Sequence, residues 1–121
     1  MNLYPLPKLP DTRSGVAYTY KSEGVIHAVG TCTAWDGVGS EVTLQPGRYS
    51  LAGSVSTDRQ NLYVQINVDG KNYNTISSKQ FTITTAGTYS CSVMTRSGST
   101  VDANIMPVLT AISDGTSETD G

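Results

Sequence analysis

Residues 62–70 read LYVQINVDG, and this stretch decides the fold class. Apolar Leu, Val and Ile alternate with the outward series Tyr63, Gln65 and Asn67, which is the period-two pattern of a β-strand with one buried face. An Asp-Gly pair at 69–70 follows at once and favours a type I′ hairpin turn. The stretch therefore predicts a two-faced strand that leads into an antiparallel hairpin.

Short β-rich segments separated by Gly, Pro and Asp turns continue this pattern in both directions along the chain. Residues 35–40, which hold the only tryptophan, are predicted as a loop. No segment has the composition of a helix of ordinary length. The chain is therefore predicted to be all-β: an antiparallel β-sandwich, jelly-roll-like, with eight or nine strands. We predict these strands at residues 16–20, 25–33, 41–44, 48–55, 62–68, 71–73, 80–84, 88–95 and 101–112.

A single domain is expected, because 121 residues suit one hydrophobic core. We place this β-sandwich domain at residues 1–113. Three prolines make residues 1–11 an extended lead-in or an edge strand, since proline cannot donate to a central ladder. Residues 114–121 are polar and acidic, as in a tail or linker. Both ends resemble segments that continue into neighbours, so we expect a module of a longer chain, with a complete small protein as the alternative.

Charge and hydropathy disfavour two kinds of partner. The net charge is −2, without the basic patch that binding to nucleic acid or to an anionic membrane requires. No apolar run approaches the roughly 20 residues that span a bilayer, and no export signal is readable, so membrane insertion is not expected. The two cysteines, Cys32 and Cys91, fit either one disulfide or two buried thiols, and we favour the thiols.

The sequence offers no catalytic constellation. His27 is the only histidine and lies within a predicted buried strand, as a structural or surface residue would. Cys32 and Cys91 lack the close spacing of a zinc site and any motif of a thiol nucleophile. The carboxylates fall mostly in turns and in the tail, where turn formation explains them better than glycoside hydrolysis does. We therefore predict a domain that is not an enzyme.

Several segments, taken in chain order, carry a resemblance: 2–3 (NL), 24–26 (GVI) running into 30–31 (GT), 44–51 (LQPGRYSL), 81–83 (FTI) followed by 87–89 (GTY), and 105–109 (IMPVL). This order is similar to that of the carbohydrate-binding-module-like, galactose-binding-like jelly-roll domains in minor structural and tail proteins of bacteriophages and prophages of Gram-positive bacteria. The resemblance implies a non-catalytic module of the virion, made in the bacterial cytoplasm and acting outside the cell at the host surface polysaccharide. It supplies no ligand residues position by position.

Such modules often hold a structural calcium ion near the chain ends, which is the one metal that we consider. The conceivable ligands are Asp11, Glu23 and Asp102, although no acidic loop of the Asp-x-Asp-x-Asp kind is present. No other cofactor is expected.

Sugar binding requires an aromatic ring that stacks on a pyranose and side chains that hydrogen-bond its hydroxyl groups. The tryptophan in its predicted loop offers such a ring, but a loop tryptophan can equally fold back over the core. The outward face of the 62–68 strand offers a ring and two amides, but an ordinary solvated sheet face has the same composition. The candidate carbohydrate-binding residues are Trp35, Asp36, Arg59, Tyr63, Gln65, Asn67 and Arg96.

The leading hypothesis is a tail-associated module that binds bacterial surface polysaccharide or wall glycan and also contacts other tail chains, with a homo-oligomer left open. One alternative is a purely structural tail or spike module that makes protein-protein contacts only. The other is a wall-binding accessory domain of a larger cell-wall hydrolase.

Overall fold

Ten strands form within residues 1–56 and 60–112, which are the residues that the computed structural model describes. These strands build two antiparallel sheets, and no helix is present in the described part of the chain, so the predicted antiparallel β-sandwich is confirmed. The strands are β1 Asp11–Arg13, β2 Val16–Ser22, β3 Val25–Thr31, β4 Asp36–Leu44, β5 Gly47–Val55, β6 Leu62–Val68, β7 Lys71–Asn74, β8 Gln80–Ile83, β9 Gly87–Thr95 and β10 Thr100–Ala111.

The larger sheet has six strands in the order β1-β2-β3-β10-β5-β8, and the smaller has four in the order β4-β9-β6-β7. The predicted hairpin joins β6 to β7, which pair from Val68 and Lys71 onward. Its two turn residues, Asp69 and Gly70, have φ angles of 52° and 87°. Positive φ at both central positions is what a type I′ turn requires.

The core lies between the two sheets and consists of the inward half of each alternating strand. Ile26, Ile66 and Ile105 are completely buried, as the period-two pattern predicts. One polar contact ties the sheets together inside this core: the hydroxyls of Tyr18 on β2 and Thr95 on β9 lie 2.6 Å apart and share a hydrogen bond. Thr95 is fully buried, so this bond satisfies a hydroxyl that water cannot reach.

The prediction of a loop at residues 35–40 is wrong. Strand β4 begins at Asp36 and pairs with β9 over its whole length, as far as Leu44. Glycines are common in turns, and those of this segment therefore favoured a loop. At Gly37, however, the absence of a side chain allows β4 and β9 to lie close together. A Cβ there would overlap the carbonyl oxygen of Val93 and lie 2.9 Å from Met94 Cα.

The strand count of eight or nine was also too low. The additional strand is β1. Its three residues lie at the end of the predicted lead-in and just after it, outside the nine predicted strands. It pairs with β2 through a tight turn at Ser14 and Gly15, both of which have positive φ. A strand of three residues carries too little alternation to be recognised from sequence.

The start of the predicted lead-in is held against β10. The backbone N–H of Leu3 donates to the carbonyl of Leu109 at 2.7 Å. The Asn2 side chain accepts from the Leu109 N–H at 2.9 Å and donates to the Pro107 carbonyl at 3.1 Å. Pairing of β3 with β10 ends at Ile105, so Pro107, which pairs with Gly53 of β5 on one side, has none of the described strands of the sheet on its other side. The predicted tail at residues 114–121 lies outside the described residues.

Both cysteines are buried free thiols, as favoured from the sequence. The Cys32 thiol lies 3.5 Å from the carbonyl of Thr95. Cys91 is four residues away from Thr95 on β9, which corresponds to roughly 13 Å along a strand. A disulfide needs Cα atoms within about 7 Å, so the fold holds these two side chains apart.

Candidate functional site

The outward side of the four-stranded sheet carries small and amide side chains, and we call it the polar face. Val64 and Ile66 point into the core, so the residues between and beyond them on β6 point outward. In one row across the sheet, Gly39, Ser92, Gln65 and Asn74 are neighbours. The members of the polar face are Gly39, Glu41, Gln65, Asn67, Asn72, Asn74, Ser90 and Ser92.

The amides of the polar face are partly fixed by their own contacts. Asn67 donates from Nδ2 to the Asn72 side chain at 2.9 Å and accepts from the backbone N–H of Gly70 at 3.3 Å. Asn74 accepts from the backbone N–H groups of Ile76 and Ser77, each at 3.0 Å. The result is a surface of hydroxyls and oriented amides.

Two aromatic side chains and an arginine lie at one end of this face. We call these three residues, Trp35, Tyr63 and Arg96, the aromatic end. Tyr63 belongs to the next row, where its neighbour on β9 is Met94. The Trp35 indole donates from Nε1 to the Tyr63 hydroxyl at 2.6 Å. The guanidinium carbon of Arg96 lies 5.5 Å from the centre of the Trp35 ring, within the range of a cation–π contact.

The tryptophan is positioned by two connecting segments, the one before β4 and the one between β9 and β10. Backbone hydrogen bonds join these two segments to each other. Cys32 donates its N–H to the Ser99 carbonyl and accepts from the N–H of Gly98, at 2.8 Å each. The Cys32 thiol donates to the carbonyl of Ala34 at 2.7 Å, one residue before the indole. The segment that precedes β4 is therefore tied to the β9–β10 connection, which also carries Arg96.

The structure brings five of the seven predicted carbohydrate-binding residues to this one face: Trp35, Tyr63, Gln65, Asn67 and Arg96. Asp36 is not among them, because its carboxylate accepts from Ser14 Oγ and from the Gly37 N–H, both at 2.8 Å, at the start of β4. Arg59 lies outside the described residues.

The exposures of Trp35 and Tyr63 differ from the two alternatives of the sequence analysis, which were a tryptophan folded back over the core and an ordinary solvated sheet face. Trp35 is 55 % exposed, so it does not fold back over the core. Tyr63 is only 5 % exposed although it points away from the core. The exposed ring is therefore supported by a buried one.

The three calcium candidates are not brought together. Asp11 forms a 2.8 Å ion pair with Arg13, whose hydrogen bond lowers the pKa of that carboxyl. Asp102 contacts His27 Nε2 at 3.0 Å on β10, which β2 and β3 separate from β1 by about 14 Å. Glu23 lies in the β2–β3 turn. Within residues 1–56 and 60–112, no three His, Cys, Asp or Glu side chains are placed to hold a metal ion.

His27 has a structural explanation on the outer side of the larger sheet. Its Nδ1 lies 2.7 Å from Asn104 Oδ1, and its Nε2 faces Asp102. Both partners are on the neighbouring strand β10, so the imidazole links β3 to β10. Exposed pairs of this kind contribute little to stability.

Two concavities lie elsewhere on the described part of the chain. A groove of about 310 Å³ runs along β5 beside Thr75 and Lys79, without an aromatic ring. Another, of about 320 Å³, lies between Leu6 and Tyr20 and is almost wholly apolar. The aromatic end with the polar face is thus the surface whose chemistry best suits a hydroxylated ligand.

The residues of the site that the sequence analysis missed are Ser90 and Ser92 on β9, Gly39 and Glu41 on β4, and Asn72 and Asn74 on β7. Alternation around buried Cys91 and Val93 indicates that the β9 residues point outward. No sequence signal places β9 between β4 and β6, because alternation specifies faces and not neighbours.

No known protein family, curated protein or solved structure matches the chain. None of residues 1–56 and 60–112 belongs to a helix that could cross a membrane. The function of the polar face is therefore argued from its own geometry.

Proposed function

We propose that this domain is a non-catalytic carbohydrate-binding module and that its glycan lies across the polar face, with Trp35 as the stacking ring. One observation carries the proposal: Trp35 is 55 % exposed, yet its indole is fixed by a 2.6 Å hydrogen bond to a buried tyrosine. Tryptophan is enriched among the residues that dominate binding energy, and a side chain that is already ordered loses less entropy when a ligand binds.

Fixation of the ring favours binding for a physical reason. Ordering a side chain on ligand binding costs free energy, and a ring that is already oriented avoids most of that cost. The bond to Tyr63 and the contact with Arg96 orient the indole before any ligand arrives. Trp35 can then present a flat apolar surface to the apolar face of a sugar.

The polar face supplies the hydrogen-bonding part of the site. Gln65 and Asn67 follow Tyr63 along β6 at intervals of about 7 Å, so these three residues span about 14 Å. Ser90 and Ser92 flank them on β9. A short oligosaccharide laid along β6 would find amides and hydroxyls beside each of its units.

For the biological setting, we propose a phage or prophage tail protein whose module attaches the virion to a host surface polysaccharide. The support is the sequence resemblance together with the β-sandwich fold. Contacts with a flat face are individually weak, and many copies on one particle would multiply them. The wall-binding accessory domain is the version of this proposal in which the ligand is restricted to wall polymers.

A purely structural tail module is the competing function. It needs no exposed aromatic site, and it would instead use apolar surface elsewhere. Leu6, Tyr20 and Met106 are exposed apolar side chains outside the polar face, and they favour this reading.

The test is a glycan-array screen of the purified domain against bacterial surface polysaccharides and wall fragments, with and without calcium. Trp35→Ala and Gln65→Ala are the test variants. Met106→Ala is the matched control, because it removes an exposed apolar side chain from the larger sheet.

A hit that Trp35→Ala and Gln65→Ala weaken and Met106→Ala leaves unchanged supports the proposal. Hits confined to peptidoglycan or teichoic polymers favour the wall-binding domain. Silence of the folded domain on every polymer contradicts the proposal and favours the structural module.

A further inference from the structure

Arg96 is the cation of the aromatic end, and it forms no ion pair with any of residues 1–56 and 60–112. The ion pairs formed among residues 1–56 and 60–112 are Arg13 with Asp11 and His27 with Asp102. The contact of the Arg96 side chain is the cation–π contact with Trp35, while its backbone N–H donates to the Asn61 carbonyl. Five N–H donors of a guanidinium are thus held beside the stacking ring without a carboxylate partner from these residues.

Two acidic groups on the smaller sheet form no ion pair with this arginine. Asp36 pairs in register with Thr95, next to Arg96, but its two carboxylate oxygens are directed to Ser14 and to the Gly37 N–H. Glu41 pairs with Ser90, six residues from Arg96, which is about 20 Å along β9. At that distance in water, the two charges are largely screened from each other.

We infer that the glycan bound here carries a negatively charged group, a carboxylate or a phosphate, that meets Arg96 while the adjoining sugar stacks on Trp35. This inference rests on the proposed function and adds the chemical class of the ligand. A guanidinium matches both anions with two parallel hydrogen bonds, and charge-assisted bonds are about twice as strong as neutral ones. The indole holds the guanidinium in place, which lowers the cost of ordering it on binding.

The charges also give the site a direction. Arg96 lies at the aromatic end and Glu41 at the opposite end of the polar face. An anionic unit is attracted to the first and repelled by the second, so a chain with one charged residue binds in one orientation.

The probes are chosen to separate charge from shape. Oligogalacturonate and the same oligosaccharide with its carboxylates reduced to alcohols differ in charge alone, and poly(glycerol phosphate) supplies the phosphate. Dissociation constants are measured for the full chain at low and high salt. The variants are Arg96→Gln and Lys21→Gln, which remove one positive charge each, the second from an exposed position on β2 of the other sheet.

We expect at least one anionic probe to bind about tenfold more tightly than the neutral probe, and to weaken as salt is added. Arg96→Gln should abolish that preference and its salt dependence, while Lys21→Gln keeps both. In nitrogen-proton spectra, the anionic probe should shift the Arg96 Nε and Trp35 Nε1 signals together. The probe that succeeds, carboxylate or phosphate, identifies the anion.

Equal binding of the neutral and anionic probes, lost in Trp35→Ala, overturns the inference and leaves the proposed function standing. The same conclusion follows if an anionic probe binds tightly but Arg96→Gln does not weaken it. Failure of all three probes, when the folded domain binds a neutral polymer on the array, also overturns the inference. Failure with every polymer overturns both.

Discussion

The indole N–H of Trp35 and the hydroxyl of Tyr63 form a 2.6 Å hydrogen bond between the segment before β4 and strand β6, two parts of the chain separated by β9. The bond bridges an exposed ring and a buried one. It therefore transmits the rigidity of the sheet to the side chain that we propose as the stacking surface.

Removing that acceptor should loosen the ring while leaving the fold intact. Tyr63→Phe keeps the aromatic volume and deletes only the hydroxyl, so we expect a loss of stability of about 0.5–1.5 kcal/mol. Trp35 is the only tryptophan, so its fluorescence anisotropy decay reports on this ring alone. The decay should become faster in Tyr63→Phe, and glycan affinity should fall severalfold.

Tyr73→Phe is the matched control, because Tyr73 packs against Phe81, away from the polar face. It should leave the anisotropy decay unchanged. An unaltered decay in Tyr63→Phe would show that the hydrogen bond does not orient the ring.

Gly37 and Gly39 lie on the same strand and should respond oppositely to a methyl group. In Gly37→Ala the Cβ overlaps the Val93 carbonyl, so β4 must move away from β9 at a cost of about 1–3 kcal/mol. In Gly39→Ala the nearest atom is the Cys91 carbonyl oxygen at 3.6 Å, an ordinary contact. That variant should be neutral or more stable by about 0.5 kcal/mol, because alanine loses less backbone entropy on folding.

Urea unfolding of both variants, followed by tryptophan fluorescence, measures the difference. Equal stability of the two would mean that β4 and β9 do not approach each other as closely at Gly37 as the structure has them.

The same pair of glycines shows where sequence reasoning succeeds and where it stops. The alternation of residues 62–68 defines β6 to the residue, and its outward members are the ones found on the polar face. Glycine favours turns in general, and so residues 35–40 were predicted as a loop, whereas at Gly37 the missing side chain serves close strand packing. Local pattern cannot distinguish these two uses of glycine, because the difference lies in a partner strand about 55 residues away.

The candidate site divides in the same way. Five of its residues were recognisable as types suited to sugars, but their convergence depends on the order β4-β9-β6, which alternation does not encode. The burial of Tyr63 has the same origin, since an outward residue becomes buried only through its neighbours in space.

The Asn2 side chain should be important for stability although it lies near the chain start. It accepts from the N–H groups of Leu109 and Tyr4 and donates to the Pro107 carbonyl. Asn2→Ala removes all three bonds, for an expected loss of about 1–2 kcal/mol, moderated by the exposure of the residue. Asn2→Asp keeps the acceptors and loses the donor, so its loss should be smaller.

Denaturant unfolding gives the order of the two variants, and hydrogen exchange at the Leu109 amide gives the location of the effect. A stability of Asn2→Ala equal to that of the parent would show that the lead-in contributes nothing to the sheet.

Two buried tyrosines should differ because one hydroxyl is paired and the other is not. The Tyr4 hydroxyl is enclosed without a hydrogen-bond partner of good geometry in the described residues. Burial raises the pKa of this hydroxyl, and the nearby Ser40 hydroxyl opposes the rise. Ser40 donates to the carbonyl of Pro5 instead. Tyr4→Phe should therefore be neutral or more stable by up to about 1 kcal/mol.

Tyr18→Phe is the matched comparison, since it breaks the bond to the buried Thr95 hydroxyl and leaves that group unsatisfied. We expect a loss of about 1–3 kcal/mol. Thermal unfolding of the two variants side by side provides the test, and a larger loss in Tyr4→Phe than in Tyr18→Phe would contradict the hydrogen-bond assignment.

Stability should fall in alkaline solution because burial keeps several acidic groups protonated, Cys91 and Tyr18 among them. Burial raises the pKa of the Cys91 thiol from 9.0 to about 12 and that of the Tyr18 hydroxyl from 10.0 to about 12. Above pH 9 the unfolded chain releases these protons while the folded chain retains them, so the free energy of unfolding decreases as pH rises from 9 towards 12. Below pH 8 neither group should make stability depend on pH. Urea midpoints from pH 7 to 11 measure the effect, and Cys91→Ala should flatten the part of the curve just above pH 9. A midpoint that stays constant or rises between pH 9 and 11 would mean that the two groups ionise as readily in the folded chain as in the unfolded one.

The folded protein should also resist alkylation at Cys91 at pH 8, because the thiolate is the reactive form.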